Sequence, residues 1–406
     1  MGRENLLNLI ETLDQSDASV QRIFGGEGSA VGAAVRRRTA NPLSKRQYEK
    51  KLYEAMKFVA DVYDGRRPQY QLREALGTAD FPLLFGDIID RQLLANYRET
   101  PQTFRNYCKV ATVPDFRQVK RFAINYAEGR LPQVPQQSEY PERKLGDQAF
   151  TYAVNKYGAK IPFDWETMVN DDLDALKDVP ARLGRGARRT EEFFATSLFV
   201  DANGPIAGFY NTANKNRVHT ENGASVNNPP LSIQGLQDAM LVLMSMVDFD
   251  GEPIVIDAVH LVVPPGQEII ANNILNATEL WINLATATTT PPQQQLHTQN
   301  WMRNKVRLST NYYIPRIASS ANGSTSWFLF ADPGTSRPAI EVGFLRGHEE
   351  PEIFAKDPNA MRIGGGATAV LDGDFDTDSI QYKIRHVLGG TLMDPRATVA
   401  SNGSGS

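Results

Sequence analysis

The chain has 406 residues, 41% of them hydrophobic and 22% charged, which is the composition of a folded globular protein and excludes a disordered or collagenous one. Its formal net charge of -4 gives no global attraction for nucleic acid, and its length exceeds what one simple core fills, so two or three domains are expected. Cys108 is the single cysteine, which excludes an intrachain disulfide and a cysteine zinc cage and suits a reducing compartment.

No run of eighteen apolar residues occurs, so no spanning helix is expected. The N-terminus carries Glu4 and Glu11 and lacks a signal-peptide pattern, and Leu6 stands where a myristoylation signal needs Ser or Thr. A soluble intracellular product is expected.

Residues 3–14 predict a short amphipathic helix with Leu6, Leu9, Ile10 and Leu13 on one side. The stretch 25–42 is glycine-rich and basic at Arg36, Arg37 and Arg38, and reads as a flexible arm or as one lying on a neighbouring subunit. A helix is predicted at 44–64. Ser44 and Gln47 form a capping box, Tyr48, Leu52, Met56, Val59 and Tyr63 a stripe, and Gly65 the stop. Another is predicted at 80–98, capped by Asp80 with Pro82 in its first turn.

After residue 110 the apolar period becomes two, with Val119, Arg121 and Ala123 alternating against Lys120, Phe122 and Ile124. A long polar excursion follows, carrying Pro132, Pro135 and Pro141. FTYAVNKYGAKI (150–161) then resumes a strand pattern, with Phe150, Tyr152 and Val154 on one face. Connections of this length are uncommon unless functional. Together these segments predict a two-stranded ribbon with a proline-rich tip. Such a ribbon is marginal alone, and the neighbouring sequence offers no obvious cover, so a second copy of the chain is the expected partner.

Residues 178–200 predict a long helix, capped by Asp178 with Pro180 in its first turn. Leu183, Ala187, Thr190, Phe194 and Leu198 recur at helical spacing, and Arg182, Arg185 and Arg189 line another face. Gly184 and Gly186 weaken it by about 1 kcal/mol each relative to alanine. The Asn-, Gly- and Pro-rich stretch 203–230 marks a domain boundary. Beyond it, helices are predicted at 231–246 and 266–275, strands at 258–265, 306–314, 326–332 and 339–345, and a polar loop at 286–300. Residues 379–390 read as a long strand and 401–406 as a flexible tail.

Catalytic patterns are missing. There is no GxSxG, HExxH, GxxxxGK[ST] or GxGxxG. His219, His260, His297, His348 and His386 are scattered, and an intracellular hydrolase would need a pocket from distant residues such as Asp257, His260 and Asp332. Asp372, Asp374, Asp376 and Asp378 alternate as a hard cation would suit. The EF-hand pattern fails there, because Thr377 replaces its glycine and Lys383 its bidentate glutamate. The stretch reads as an acidic turn, and no metal or cofactor is predicted. GGG at 364–366 precedes a strand pattern rather than the helix that phosphate binding needs. The arginine run of the long helix is interrupted by Glu191 and Glu192 and carries no aromatic platform, so it reads as a solvated or intersubunit face.

The order of elements resembles a tailed-bacteriophage major capsid protein of the Hong Kong ninety-seven type over roughly residues 80–400. The stretch 160–204 resembles the passage from extended loop into spine helix. VHLVVPPGQEIIANNIL (259–275) and SWFLFADP (326–333) resemble parts of the axial domain, and SIQYKIRHVLGGTLMDPRA (379–397) resembles the closing strands of the peripheral domain. The resemblance implies an α+β capsid fold: N-terminal arm (1–110), extended β-hairpin loop (111–163), spine helix with the first part of the peripheral domain (164–225), axial domain (226–345), and the rest of the peripheral domain with a C-terminal tail (346–406). It also implies hexamers and pentamers of this chain in an icosahedral shell around double-stranded DNA, held without specific binding. Scaffold, portal and decoration proteins would be further partners, with assembly in the bacterial cytoplasm. The roughly 80 residues before the resembling region are read as a mature arm rather than a removed segment.

The extended loop then reaches a neighbouring subunit through a tip at 130–146. Arg130, Gln133, Gln136, Glu139, Glu142, Arg143 and Lys144 are its contact candidates, and Arg182, Arg185 and Arg189 form the basic face of the spine helix. Some relatives cross-link a loop lysine to an asparagine. Lys144 is present, but the acidic turn 371–379 holds no Asn, so the cross-link is not carried over. An encapsulin-like nanocompartment shell is the alternative within the same fold.

Overall fold

In the computed structural model, the residues described are 93–98, 101–125, 130–131, 133–136, 138–140, 146–164, 173–221, 224–225, 227–256, 259–284, 294–318, 321–334, 337–356, 377 and 379–405. The expected helices at 3–14 and 44–64, the arm at 25–42, most of the helix at 80–98, GGG at 364–366 and the four alternating aspartates all lie outside them.

Residues 93–98 are helical, the end of the helix expected at 80–98. A 3-10 turn at Phe104–Asn106 leads into β1 (Lys109–Val113). The ribbon follows as β2 (Val119–Asn125) and β3 (Gly146–Tyr152), antiparallel from Val119 opposite Tyr152 to Asn125 opposite Gly146. β3 ends at Tyr152, and a separate strand, β4 (Asn155–Asp164), begins three residues later and pairs with another element. The single strand expected over 150–161 is therefore two strands. Alternation of apolar residues records that the backbone is extended and is blind to a change of hydrogen-bonding partner.

The long helix is α1 (Leu173–Ser197), about 37 Å long at 1.5 Å per residue. It starts five residues before the expected cap, so Asp178 lies within it. Pro180 lies in the interior, where it has no N–H to give to the carbonyl of Leu176. Two short hairpins come next, β5 (Val200–Asp201) with β6 (Gly204–Pro205), and β7 (Thr220–Glu221) with β8 (Ala224–Ser225). α2 (Ile233–Met244) is capped by Ser232, whose hydroxyl accepts from Gly235 N at 2.9 Å.

β9 (Val259–Val263) is buried at every position and is stopped by Pro264. α3 (Glu268–Asn276), β10 (Glu279–Leu284), β11 (Gln294–Gln299) and β12 (Val306–Thr310) follow. β12 stops short of the expected 314. Asn311 turns the chain by accepting from Tyr313 N at 2.8 Å, and a four-residue helix, α4 (Ile314–Ile317), takes over. The remaining strands are β13 (Trp327–Ala331), β14 (Ile340–Leu345), β15 (Glu352–Ala355), β16 (Ser379–Leu392) and β17 (Thr398–Ser401).

These elements fall into two compact units. One takes the described residues of Met1–Thr100, Lys156–Arg188 and Gly347–Val387. In it, β15 runs antiparallel to Tyr382–Arg385 of β16, and β4 also pairs with β16. Its core gathers Leu93, Tyr97, Leu183, Ala187, Ile353, Tyr382 and Ile384. Gly184 is explained here, because a Cβ at that position would come within 2.6 Å of the Leu93 carbonyl oxygen. The glycine lets the 93–98 helix lie directly on α1.

The second unit takes Pro101–Asn155, Arg189–Arg346 and Leu388–Ser406. Its main sheet has the order β12-β9-β13-β17, with β12 parallel to β9 and the other pairings antiparallel. β9, β13 and β17 are buried along their lengths, which is why β9 and β13 read as apolar runs. Against this sheet Tyr107, Phe199, Tyr210, Phe328 and Phe330 form one aromatic cluster, with centroids 4.9 Å apart for Phe199–Phe328 and 5.0 Å for Tyr107–Phe330. In the same unit β1 runs parallel to β14, and β14 runs antiparallel to Leu388–Leu392.

The residues expected as a flexible tail are fixed. Ser401 closes β17 opposite Trp327, Thr325 Oγ1 donates to Asn402 O at 2.7 Å, and Gly405 N donates to Asn228 O at 2.9 Å. Gly403 is in the left-handed region at φ +70°, and a Cβ there would lie 2.2 Å from the Thr325 carbonyl oxygen.

Candidate assembly site

The ribbon is built on a buried carboxylate. In β2–β3 the cross-strand pairs Val119/Tyr152 and Arg121/Phe150 share one face, and Lys120/Thr151 and Phe122/Ala149 share the other. The first face turns inward. Tyr152 donates its hydroxyl proton to Glu341 Oε1 at 2.6 Å, and Arg121 donates Nε–H to the same oxygen at 2.7 Å. Glu341 belongs to β14 and is 1% exposed. A carboxylate removed from water to this extent requires paired charge and donors, and the ribbon supplies both. Burial, then the hydrogen bond and charge of Glu341, push the Tyr152 phenol up to about 12, so it stays a proton donor across the physiological range.

The base of the ribbon is thus covered by its own chain, which the sequence reading did not anticipate. Two glycines make the fit possible. A Cβ at Gly343 would lie 2.6 Å from the Tyr152 hydroxyl and 2.7 Å from its ring, and one at Gly389 would collide with the Ala153 carbonyl oxygen. The outward face carries Lys120, Phe122, Ala149 and Thr151, all exposed, with Phe122 61% exposed. Among the described residues no third strand pairs with the ribbon.

Of the tip candidates, Arg130, Gln133, Gln136 and Glu139 are exposed. Glu142, Arg143 and Lys144 lie outside the described residues. Arg130 Nε–H donates to Glu252 Oε1 at 2.8 Å, a partner the sequence reading did not name. Ser138 folds the tip into a turn by donating N–H and O–H to the Pro135 carbonyl. Leu131 and Tyr140 are 88% and 84% exposed.

On α1, Arg182 and Arg189 are exposed, and Arg185 is half-buried with Nη1 3.4 Å from Asn96 Oδ1. The arginine that packs most closely is Arg188. Its guanidinium lies 3.6 Å from the Tyr97 ring centroid and donates to the Tyr97 carbonyl. The two glutamates that interrupt the basic run are buried. Glu192 accepts from Thr103 N at 3.1 Å, from Phe104 N at 3.3 Å and from the Thr103 hydroxyl, and Gln102 donates to Glu191. Glu192 thereby caps the 3-10 turn. Burial pushes its carboxyl above the ordinary range despite these donors.

Among the described residues the histidines share no site. His260 and His386 are buried in strands, His386 edge-on to Tyr97. His348 contacts Glu352 and His219 contacts Asn227, and the His297 side chain lies outside the described residues. Burial pushes the His260 imidazole down. Among the described residues no group of three or more His, Cys, Asp or Glu could hold a metal, and no helix is long and apolar enough to cross a membrane.

A family model described as phage capsid protein matches residues 148–401. No curated protein sequence matches the chain. Among solved structures, the chain is similar to one from Gordonia phage Cozz, with a TM-score of 0.42 and 11% identity over 74% of this chain and 86% of that one. It is similar to the capsid of Ralstonia phage GP4, with a TM-score of 0.43 and 10% identity over 72% and 86%. It is also similar to a virus-like particle from Pyrococcus furiosus, with a TM-score of 0.39 and 9% identity over 78% and 99%. The family match carries the assignment.

Proposed function

This chain belongs to the phage capsid protein family, a self-associating structural subunit of the virion shell and its major capsid protein, and from that premise we propose how it assembles. The shell is icosahedral, built from hexamers and pentamers of this chain, and encloses the double-stranded DNA of a tailed phage without gripping it. Assembly takes place in the host cytoplasm with a scaffold and a portal, and a decoration protein joins the surface. The extended loop is 111–163, the spine helix and first part of the peripheral domain 164–225, the axial domain 226–345, and 346–406 complete the peripheral domain. The arm is 1–110.

The observation that carries this reading is the ribbon. Its base is tied down inside the chain by Arg121 and Tyr152 on Glu341, yet its outward face and tip expose Phe122, Leu131 and Tyr140. Apolar side chains held out on a two-stranded ribbon gain nothing in an isolated subunit and are stabilised when a neighbour covers them. Arg182 and Arg189 offer charge to the same neighbour or to solvent. Deleting 130–146 tests the reading. The subunit should remain folded by circular dichroism and fail to close shells. Normal shells from the deletion would overturn the role given to the loop.

A further inference from the structure

We propose that the hairpin formed by residues 246–255 is the docking platform for the ribbon tip, occupied by the chain's own tip in the free subunit and by the tip of a second copy in the shell. The inference rests on the capsid reading and names the surface that the loop uses.

The platform is rigid. Ile254 N donates to Met246 O at 3.0 Å and Asp248 N to Glu252 O at 2.8 Å, and Val247 bridges Pro253. Asp248 Oδ1 accepts from both Asp250 N and Glu252 N at 2.9 Å, and Gly251 takes φ +80° to close the turn. The Arg396 guanidinium lies 3.6 Å from the Phe249 ring centroid and Arg337 lies 3.9 Å from Asp248, and both contacts hold the turn. Yet this fixed element exposes apolar surface. Val255 lies one strand period beyond Pro253, the residue bridged to Val247, so the two valines share a face; they are 79% and 43% exposed, and Leu241 in the last turn of the preceding α2 is 64% exposed.

The tip matches it in charge and in character. Arg130 reaches Glu252 across the surface, and the next residue, Leu131, is 88% exposed. The Arg130 side chain is itself 88% exposed, so this ion pair is a weak, screened contact that guides the tip without locking it. A contact made within one chain can be made between identical chains with the same groups, which is the physical basis of element exchange between protomers. Exchange adds what the free subunit leaves uncovered. When tips reach neighbours in a closed ring, Leu131, Val247 and Val255 are buried, and every subunit is held at both ends of its loop.

The test uses the full chain with Arg130→Cys and Glu252→Cys, treated with a short bis-maleimide. Cys108 is buried, and burial pushes its thiol up, so it stays silent. Free subunits should give an intrachain product running as a monomer, and assembled shells a ladder of linked chains on a denaturing gel. Shells that yield only monomer, or no product, overturn the proposal. If the double variant does not assemble, Arg130→Cys and Glu252→Cys subunits are co-assembled singly. A linked dimer supports exchange, and its absence overturns it. Failure of the unmodified chain to make shells is a separate result, which bears on the capsid reading and not on the platform.

Discussion

Replacing Glu341 by glutamine should loosen the ribbon without disturbing the sheet that carries it. In the wild type one buried oxygen, Glu341 Oε1, accepts from Tyr152 at 2.6 Å and from Arg121 at 2.7 Å. The amide is isosteric and its carbonyl can still accept both protons, so the loss is confined to charge. Hydrogen bonds to an ionised partner contribute about 1.5–3 kcal/mol and neutral ones about 0.5–1.5. Arg121 is 34% exposed and keeps part of its hydration, which discounts its share. The expected cost of Glu341→Gln is therefore about 1–2 kcal/mol. Glu341→Ala should cost about 3–5 kcal/mol, because it also strands the Tyr152 hydroxyl and opens a cavity. Denaturant unfolding gives the free energies, and amide exchange across β2–β3 locates the change. In a double-mutant cycle, Tyr152→Phe should be strongly sub-additive with Glu341→Ala, which leaves the hydroxyl no acceptor, and closer to additive with Glu341→Gln. A Glu341→Gln protein as stable as the wild type, with β2–β3 exchange unchanged, would refute the anchoring argument.

Three further outcomes are expected. Gly343→Ala should cost about 1–3 kcal/mol by forcing the Tyr152 ring away from Glu341, and an increase in Tyr152 ultraviolet exposure should accompany the loss; an unchanged protein would contradict the packing. Glu192→Gln should be tolerated, since its carbonyl can take the Thr103 and Phe104 N–H groups while its amide donates to Thr103 Oγ1, whereas Glu192→Ala should lose about 2–3 kcal/mol. The Glu192 carboxyl is held above its ordinary 4.5, so its contribution is fully present below that value and is lost as pH rises through the folded value. Thermal melts should accordingly show Glu192→Gln gaining on the wild type as pH rises, and a constant difference would count against the burial. Glu352 behaves oppositely. Burial opposes its charge, but the hydrogen bonds from Arg385 and His348 outweigh that and hold its carboxyl below 4.5. The stability it contributes is present above 4.5 and lost as pH falls below it, so the deficit of Glu352→Gln should shrink in melts taken below 4.5.

Much of this fold is legible in the chain. β9 and β13 announce themselves as short apolar runs, because strands buried on both faces need no alternation. The stripe Leu183, Ala187 and Phe194 marks α1. The failures have definite causes. The break between β3 and β4 is a change of pairing partner within extended backbone, and no side-chain period records it. Asp178 is a good cap residue by type, but α1 runs through it from Leu173. Residues 401–405 have the composition of a linker but are held by strand pairing at Ser401 and hydrogen bonds at Asn402 and Gly405, with Gly403 where a Cβ would meet the Thr325 carbonyl. The anchor left one trace that could have been read: Glu341 sits among apolar residues in IEVGFL, and a carboxylate in a buried strand demands a partner. Which partner it takes, 220 positions away in Arg121, depends on register between elements remote in sequence. The same holds for Glu252, which nothing local connects to Arg130.

The most direct measurement of the central claim is negative-stain electron microscopy of the full chain, alone and expressed with a scaffold, beside sedimentation velocity on the same samples. Closed shells, or rings of five and six subunits, are the predicted result. A species that stays monomeric or dimeric in both conditions would contradict the account.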